Sequence, residues 1–194
     1  QPDQLSQFRS RAFDSLIATR DKGLAFMFKR SLAHTEPQVR ALSLRGLARL
    51  GREADLPVFN AALADAAPEV RTEAIRGLGY LASHGSNPAT EQLIKLVLEQ
   101  DEDGRRLAAE LLADCGEEGY QILREAVGEE DIQVRRAAAY GLAATGQDWA
   151  RDLLRKLEHD DKQWFVRSAA TDALSLMQAR VRPVNEEPAI DLTP

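Results

Sequence analysis

The stretch from residue 39 to residue 51, VRALSLRGLARLG, decides the fold of this chain because it recurs along the sequence. Copies without gaps begin at residues 70, 104, 134 and 166 and read VRTEAIRGLGYLA, GRRLAAELLADCG, VRRAAAYGLAATG and VRSAATDALSLMQ; a looser copy, FRSRAFDSLIATR, begins at residue 8. The intervals between their leading arginines, Arg9, Arg40, Arg71, Arg105, Arg135 and Arg167, are 31, 31, 34, 30 and 32 residues. This is the period of stacked helical hairpins. The sequence therefore predicts an all-α solenoid of about five hairpins plus one extra N-terminal helix.

The segments before these copies are predicted to form the first helix of each hairpin, because apolar residues recur in them at i, i+3, i+4 and i+7. They read GLAFMFKRSLAH, LPVFNAALADA, ATEQLIKLVLEQ, GYQILREAVGEE and DWARDLLRKLEHD. The second helices are expected to begin close to Thr35, Asp65, Asp101, Asp131 and Asp161. Thr35 is a candidate N-cap, and Pro37 suits an early helical position. Gly51, Gly116 and Gly146 follow second helices, where a left-handed glycine can close a helix.

The repeat pattern divides the chain into three parts. Residues 1–22 are expected to form an N-terminal half-repeat or capping helix, and residues 23–179 the repeat array. Residues 180–194 contain three prolines and are expected to form an extended tail that acts as a linker or a docking segment. The chain begins with Gln1 rather than Met, which indicates a processed or excised piece of a longer protein.

Composition narrows the range of partners. The 194 residues carry a net charge of −6, and the pI is about 5.2, which argues against general affinity for nucleic acid or anionic membranes. One cysteine leaves no intramolecular disulfide and does not determine the redox compartment. No apolar run approaches the roughly 20 residues of a membrane span. No signal peptide is visible. The sequence leaves the compartment unknown, with a cytoplasmic location favoured.

The repeated motif resembles that of a known family. The pattern D/P-x-V-R-x-x-A-x-x-x-L-x-x-L-G, seen from Pro37 to Gly51 and in the copies, is similar to HEAT repeats, specifically the short bacterial type called phycobilisome-lyase-like. The resemblance covers roughly residues 8 to 178. Gly104 departs from it by replacing valine, and Gln178 by replacing glycine. The resemblance implies a right-handed solenoid that acts as an interaction scaffold, or as an accessory subunit or chaperone module related to phycobilin lyases.

Part of each second helix is expected to be purely structural. Val39, Ser43, Leu47 and Leu50 fall on one helical stripe and are predicted to face the core. Cys115 lies in the same column as Leu50 and is predicted to be a small buried hydrophobic residue rather than a reactive thiol. The recurring arginine is predicted to bind a carboxylate of the neighbouring repeat or the carbonyls of a turn, so that the arginines form a ladder between repeats.

The opposite face of the second helices is expected to line a concave surface. Its three columns read Arg45, Arg76, Glu110, Tyr140, Asp172; Arg49, Tyr80, Asp114, Ala144, Leu176; and Leu42, Glu73, Leu107, Ala137, Ala169. Exposed tyrosine and arginine dominate interface energetics. The candidate partner-binding residues are therefore Arg45, Arg49, Glu73, Arg76, Tyr80, Leu107, Glu110, Asp114 and Tyr140, and the cluster of Arg45, Arg49, Arg76 and Tyr80 is the strongest group. The alternative interpretation is an ordinary solvated face.

Charge is segregated along the chain. Residues 1–52 hold ten Lys and Arg against four Asp and Glu, a net of +6, whereas residues 99–131 hold twelve Asp and Glu against three Arg, a net of −9. Such a bipolar surface can orient a protein or peptide partner, or allow end-to-side self-association. The alternative interpretation is that the charges serve solubility.

The sequence offers no catalytic or metal-binding constellation. His34, His84 and His159 fall in different turns without a ligand partner at i+4, and the His-Glu pairs that a HEAT-type di-iron hydroxylase needs are missing from the second helices. The run from Asp101 to Gly104 lacks the ligand spacing of a calcium loop. No nucleotide-binding or nucleophile-elbow motif occurs. We therefore predict a chain that is not an enzyme and binds no cofactor or metal.

The sequence is compatible with three functions. The first is a non-catalytic protein-interaction scaffold, one domain of a larger protein or complex, that uses the concave face to bind another protein or peptide. The second is an accessory module of a bilin lyase, in which a groove between Tyr80 and Tyr140 covers a flat tetrapyrrole. The third is a DNA-binding array of the alkylpurine glycosylase kind, which the net charge of −6 disfavours.

Overall fold

The computed structural model describes residues 23–181, together with Arg11 and Ser15, and the described residues contain ten α-helices and no strand. The first helices of the hairpins are α1 Leu24–Ser31, α3 Leu56–Ala62, α5 Asn87–Glu99, α7 Gly116–Ala126 and α9 Asp148–Asp160. The second helices are α2 Pro37–Leu50, α4 Pro68–Ser83, α6 Glu102–Leu112, α8 Ile132–Thr145 and α10 Trp164–Val181. Five hairpins are confirmed. Of the predicted N-terminal helix only Arg11 and Ser15 are described, both in helical conformation, and residues 182–194 of the predicted tail lie outside the described residues. Residues 180 and 181 belong to α10 rather than to the tail.

Two kinds of signal start the second helices. Asp101 accepts a hydrogen bond from the Gly104 N–H at 2.9 Å, and Asp131 accepts one from the Gln133 N–H at 2.7 Å, so both aspartates cap their helices. These two helices begin one residue after the predicted positions. The other three helices begin two or three residues later than predicted. The predicted Thr35 cap is wrong, because Pro37 occupies the first helical position and makes Glu36 the N-cap residue.

The glycines at the helix ends differ from one another. Gly51 (φ 63°, ψ 33°) and Gly146 (φ 66°, ψ 6°) adopt the left-handed conformation and close α2 and α8, as predicted. Gly116 has a positive φ of 64° but a ψ of −145°, and it connects a 3₁₀ turn, Ala113–Cys115, to α7. The prediction that Gly116 closes a second helix directly is therefore wrong, since α6 already ends at Leu112.

The helices form two layers, and the even-numbered helices form the inner one. Helix α2 packs on α4, α4 on α6, α6 on α8 and α8 on α10, whereas no two odd-numbered helices pack on one another to a comparable extent among the described residues. Closer packing on one side curves the stack toward that side. The even-numbered helices therefore line the concave face.

The core lies between the two layers and between successive hairpins. Leu44, Leu47, Leu78 and Leu142 are fully buried, and alanines fill most of the remaining positions. A side chain at Gly141 would lie 2.6 Å from the Ala109 carbonyl oxygen, so only glycine allows α8 to approach α6 this closely. Because the residues between the helices are small, neighbouring helices contact each other through backbone atoms as well as side chains.

The arginine ladder predicted from the repeats is present in the described residues. Arg40 binds Asp65 through two hydrogen bonds of 2.9 and 2.7 Å, and Arg135 binds Asp161 in the same way. Arg105 lies 3.6 Å from Asp131. Each of the five arginines from Arg40 to Arg167 also donates to turn carbonyls. Arg40, Arg105 and Arg135 therefore connect consecutive turns, whereas Arg71 and Arg167 donate to the turn before their own helix. Arg9 lies outside the described residues.

Candidate functional site

The candidate site is the solvent-facing side of α2, α4, α6, α8 and α10, called the groove below. Side chains five and nine residues after the recurring arginine project into it, because these positions lie on the helix face away from the core. Two parts of the groove differ in character. The basic part is formed by α2 and α4, and the acidic part by α6, α8 and α10.

In the basic part, the predicted residues are already engaged in contacts within the protein. Arg76 is exposed and lies 3.8 Å from Glu73, one turn away on the same helix. The Tyr80 ring stacks on His84 at 4.1 Å and lies against Gly51 of the preceding repeat. Arg45 is half-buried and Arg49 is exposed, and both interact with other groups of the chain.

In the acidic part, an arginine connects two of the predicted residues. The Arg106 guanidinium carbon lies 4.0 Å from the centroid of the Tyr140 ring, and its Nε donates to Glu110 at 2.9 Å. The hydrogen bond to Glu110 raises the pKa of Arg106. Burial raises the pKa of Tyr140, and the carboxylate of Asp172 adds to the increase. The tyrosine therefore stays neutral at physiological pH and is held from one side by a cation.

A second arginine lies beside the first. Arg136 donates to Glu102 at 2.7 Å and to Gln133 at 3.0 Å, and its guanidinium carbon lies 5.7 Å from the Phe165 ring centroid. Phe165 in turn stacks on Trp164 at 3.8 Å, and both rings are about half exposed, at 45% and 58%. This row forms the edge of the acidic part where α6, α8 and α10 begin.

An open cavity of about 420 Å³ lies between α6, α8 and α10. It is lined by Arg106, Tyr140, Asp172, Ser175 and Leu176. Asp172 is exposed and Leu176 retains 41% of its accessible surface, so the cavity offers one carboxylate and one apolar wall to solvent. A cavity of this size accommodates one or two side chains of a partner.

Two of the predicted site residues contribute less to the groove than expected. Leu107 is partly buried and packs against the core. Asp114 is exposed but lies in the 3₁₀ turn after α6, so it no longer follows the helical register of the column to which it was assigned. The remaining seven predicted residues lie on the even-numbered helices.

Sequence reasoning missed Arg106, Arg136 and the aromatic pair Trp164–Phe165. The first two follow the recurring arginine directly, and the Arg-Arg doublets of the fourth and fifth copies are 30 residues apart. That spacing equals one repeat and could have indicated neighbouring side chains. The aromatic pair had no such signal, because serine, proline, glutamate or isoleucine occupies the position of Trp164 in the other copies.

A family model described as HEAT repeats matches residues 24–113 and 90–175. The matched ranges span almost all of the described helices. The chain belongs to the HEAT-repeat family. No curated protein matches it. The HEAT assignment agrees with the inner layer of second helices and with the turn arginines seen in the structure.

Solved structures with similar helical arrays include designed proteins and one enzyme. A designed armadillo repeat protein in complex with the peptide (KR)4 is 19% identical with a TM-score of 0.48, covering 90% of each chain. An engineered protein is 21% identical with a TM-score of 0.43, covering 87% of this chain and 84% of its own. Human deoxyhypusine hydroxylase in complex with glycerol is 16% identical with a TM-score of 0.41, covering 90% of this chain and 80% of its own. These likenesses leave open what this HEAT array binds.

Outside the groove, the groups that could support catalysis are Cys115 and the side chains able to bind a metal ion. Burial, together with the charge of Asp114, raises the pKa of the Cys115 thiol to about 11, so the thiolate that would act as a nucleophile is scarce at neutral pH. Residues 23–181 contain no group of three or more His, Cys, Asp or Glu side chains that could hold a metal ion. Within the same range no helix is long and apolar enough to cross a membrane.

Proposed function

We propose that this HEAT array is a non-catalytic scaffold that binds a segment of another protein along its groove, as one domain of a larger protein or complex. The observation that carries the proposal is the cavity beside Tyr140, where an arginine, a tyrosine, an aspartate and an exposed leucine meet on the concave face. Packing of the hydrophobic core does not require an arginine, a tyrosine, an aspartate or an exposed leucine at these positions. Tyrosine and arginine are also the residues enriched at energetically important positions of interfaces.

The groove is organised before a partner arrives. Arg106 is fixed by both Glu110 and the Tyr140 ring, and Arg136 is fixed by Glu102 and Gln133. Side chains that are already held lose less conformational entropy on binding. The proposed contact residues are Arg45, Arg49, Glu73, Arg76, Tyr80, Leu107, Glu110, Asp114 and Tyr140, to which the structure adds Arg106, Arg136, Trp164, Phe165, Asp172 and Leu176.

The bilin-lyase alternative has less support from the geometry. Tyr80 lies on α4 and Tyr140 on α8, and α6 packs between these two helices. The two rings therefore do not face each other across one slot in which a flat tetrapyrrole could lie. The phycobilisome-lyase-like subtype and a bacterial origin stay predictions from the repeat motif. Visible absorbance after co-expression with a bilin would favour this alternative over the scaffold.

Self-association through the bipolar charge is a further prediction. It would use the same basic and acidic parts of the surface as a foreign partner. Sedimentation of the purified chain at low and high salt tests it, because screening weakens contacts between exposed charges. A molecular mass that does not change with protein or salt concentration would count against self-association.

Site-specific photo-crosslinking in the native cell tests the scaffold function. A photoreactive phenylalanine analogue is placed at Tyr140 or Arg76, both in the groove, and at Gln121 as a control on the exposed surface of α7. The proposal predicts that one partner crosslinks from both groove positions and not from Gln121. Crosslinking from Gln121 alone, or from no groove position, would contradict the use of the concave face.

A further inference from the structure

The acidic part of the groove contains a carboxylate that forms no ion pair with any of the described residues. Its lining includes the carboxylates Glu102, Asp103, Glu110 and Asp172. Glu110 is paired with Arg106 and Glu102 with Arg136. Among the described residues no cation forms an ion pair with Asp103 or Asp172.

Structural reasons account for Asp103 but not for Asp172. Asp103 lies in the first turn of α6, where a negative charge interacts favourably with the helix dipole. Asp172 lies near the middle of α10, far from either end of that helix. Its side chain faces the cavity beside Tyr140, whose pKa its charge helps to raise. An exposed carboxylate in that position is available for a partner.

The surroundings of Asp172 suit a long basic side chain. The Ser175 hydroxyl donates to the Thr171 carbonyl at 3.0 Å, so its oxygen can still accept a hydrogen bond in the cavity. Leu176 offers an apolar wall along which the methylene stem of a lysine or arginine can pack while the charged head reaches Asp172. Arg106 also lines the cavity, but Glu110 and the Tyr140 ring already neutralise and cover it.

A second feature of the acidic part favours the same kind of partner. The stacked rings of Trp164 and Phe165 are exposed, and Arg136 already lies over Phe165 at 5.7 Å. Tryptophan is the best aromatic acceptor for a cation. Neighbouring helix axes are about 10 Å apart, so an extended peptide at about 3.4 Å per residue crosses α6, α8 and α10 with roughly six residues.

We propose that the acidic part of the groove binds a basic segment of the partner, with one lysine or arginine side chain seated in the cavity between Asp172 and Tyr140. This assignment rests on the proposed scaffold function and specifies the chemistry of the partner. Peptides with acidic or purely apolar side chains are disfavoured, because they would leave Asp172 without a counter-charge in the interface.

Selection from a displayed library of random peptides of about ten residues tests the proposal, since that length covers the acidic part. Wild-type protein is compared with Asp172→Asn, which removes the charge but keeps the size. The matched control is Asp152→Asn on α9, whose carboxylate is 78% exposed and lies 3.6 Å from Arg155. Circular dichroism and thermal melting verify that all three proteins fold alike.

The proposal predicts that peptides selected on the wild type are rich in lysine and arginine. Their affinity should fall about tenfold for Asp172→Asn, as expected for the loss of a charged hydrogen bond, and stay unchanged for Asp152→Asn. Selected peptides without a basic bias, or equal loss in both variants, would overturn the basic assignment. If such peptides are nevertheless lost with Tyr140→Ala, the scaffold function stands. If no peptide is selected and no groove crosslink forms, both proposals fail.

Discussion

Arg135 and Asp161 form two parallel hydrogen bonds, Nε to Oδ2 at 2.8 Å and Nη2 to Oδ1 at 3.1 Å, and the two side chains are only 13% and 7% exposed. Arg135 belongs to α8, and Asp161 lies in the turn between α9 and α10. The pair therefore joins consecutive repeats through a geometry that arginine can adopt and lysine cannot. The remaining Arg135 donor reaches the carbonyls of residues 129 and 130, so one side chain fixes two turns at once.

Replacing the carboxylate of this pair should destabilise the array. Asp161→Ala leaves Arg135 without its charged partner and removes the acceptor of the Gln163 N–H. We expect a loss of about 2–3 kcal/mol in the free energy of unfolding, measured by urea titration. The matched control is Asp160→Ala, since that neighbouring side chain is exposed and should contribute almost nothing. Equal losses in the two variants would mean that the pair between repeats contributes little.

Acid should weaken the same ladder. The hydrogen bond from Arg40 lowers the pKa of Asp65 below its usual value of 3.8, and Arg135 does the same for Asp161. A carboxyl group with a lowered pKa in the folded state contributes stability that is present above its unfolded-state pKa and is lost as the pH falls through the folded value. The free energy of unfolding should therefore fall below about pH 4. Asp161→Asn should show a shallower fall than the wild type in urea titrations across that range.

A buried aspartate between the first two described hairpins has two cationic neighbours, Lys29 and, at 3.9 Å from its Oδ2, the Arg52 Nε. Asp55 is fully buried, and the Lys29 Nζ lies 2.5 Å from its Oδ1, although neither oxygen accepts a hydrogen bond of good geometry. Lys29→Met removes the nearer of the two counter-charges and should cost about 3 kcal/mol. Combining it with Asp55→Leu should restore most of the loss, because an apolar pair replaces the ion pair. The control is Lys95→Met, since Lys95 is an exposed residue of α5. Thermal or urea unfolding measures the change in stability.

The order of the helices could be predicted from the sequence because the apolar period and the recurring arginine repeat together. The helix starts could not all be predicted, because the same residue type has two uses. Asp101 and Asp131 cap helices that begin at the next residue, and Asp131 also lies 3.6 Å from Arg105. Asp65 and Asp161 form two hydrogen bonds each with the arginine of the preceding repeat, and their helices begin three residues later. An aspartate at this position therefore predicts the turn before a second helix. Whether it also binds an arginine depends on the packing of the preceding repeat.

The candidate groove could be predicted only in outline. Column positions predicted the concave helix face, and eight of the nine predicted residues lie on the even-numbered helices. Leu107 is one of the eight but packs against the core, and Asp114 lies in the 3₁₀ turn after α6. The contact of Arg106 with Tyr140 joins helices α6 and α8. A single sequence does not specify how far one helix is shifted along the next, so pairs of this kind need the packed structure.

A core substitution should damage the array locally. Leu142 is fully buried in α8, and Leu142→Ala should create a cavity between stacked hairpins and cost roughly 2–5 kcal/mol. Because each repeat contacts mainly its neighbours, hydrogen exchange should rise in α6, α8 and α10 before it rises in α1 and α2. Leu47→Ala in α2 is the complementary variant and should give the reverse order. A uniform rise over all helices would contradict local coupling.

Charge reversal in the basic part of the groove should abolish partner binding without unfolding the protein. The Arg76 side chain is 58% exposed, and its only ion pair among the described residues is the 3.8 Å contact with Glu73, so Arg76→Glu should cost little folding energy. Adding Arg45→Glu reverses a second charge one repeat away, and a melting curve of each variant shows what its existing contacts contribute.

An acidic or aromatic group of the partner would lose its counter-charge and meet repulsion in the double variant Arg45→Glu with Arg76→Glu, an effect worth several kcal/mol when the groups are desolvated. Affinity capture of the crosslinked partner measures the loss. The control is Glu129→Lys with Glu130→Lys, whose exposed side chains lie in the turn before α8, outside the groove. Wild-type affinity in the double variant would exclude the basic part as a binding surface. Equal loss in the control, whose net charge changes in the opposite direction, would show that binding does not depend on these two arginines specifically.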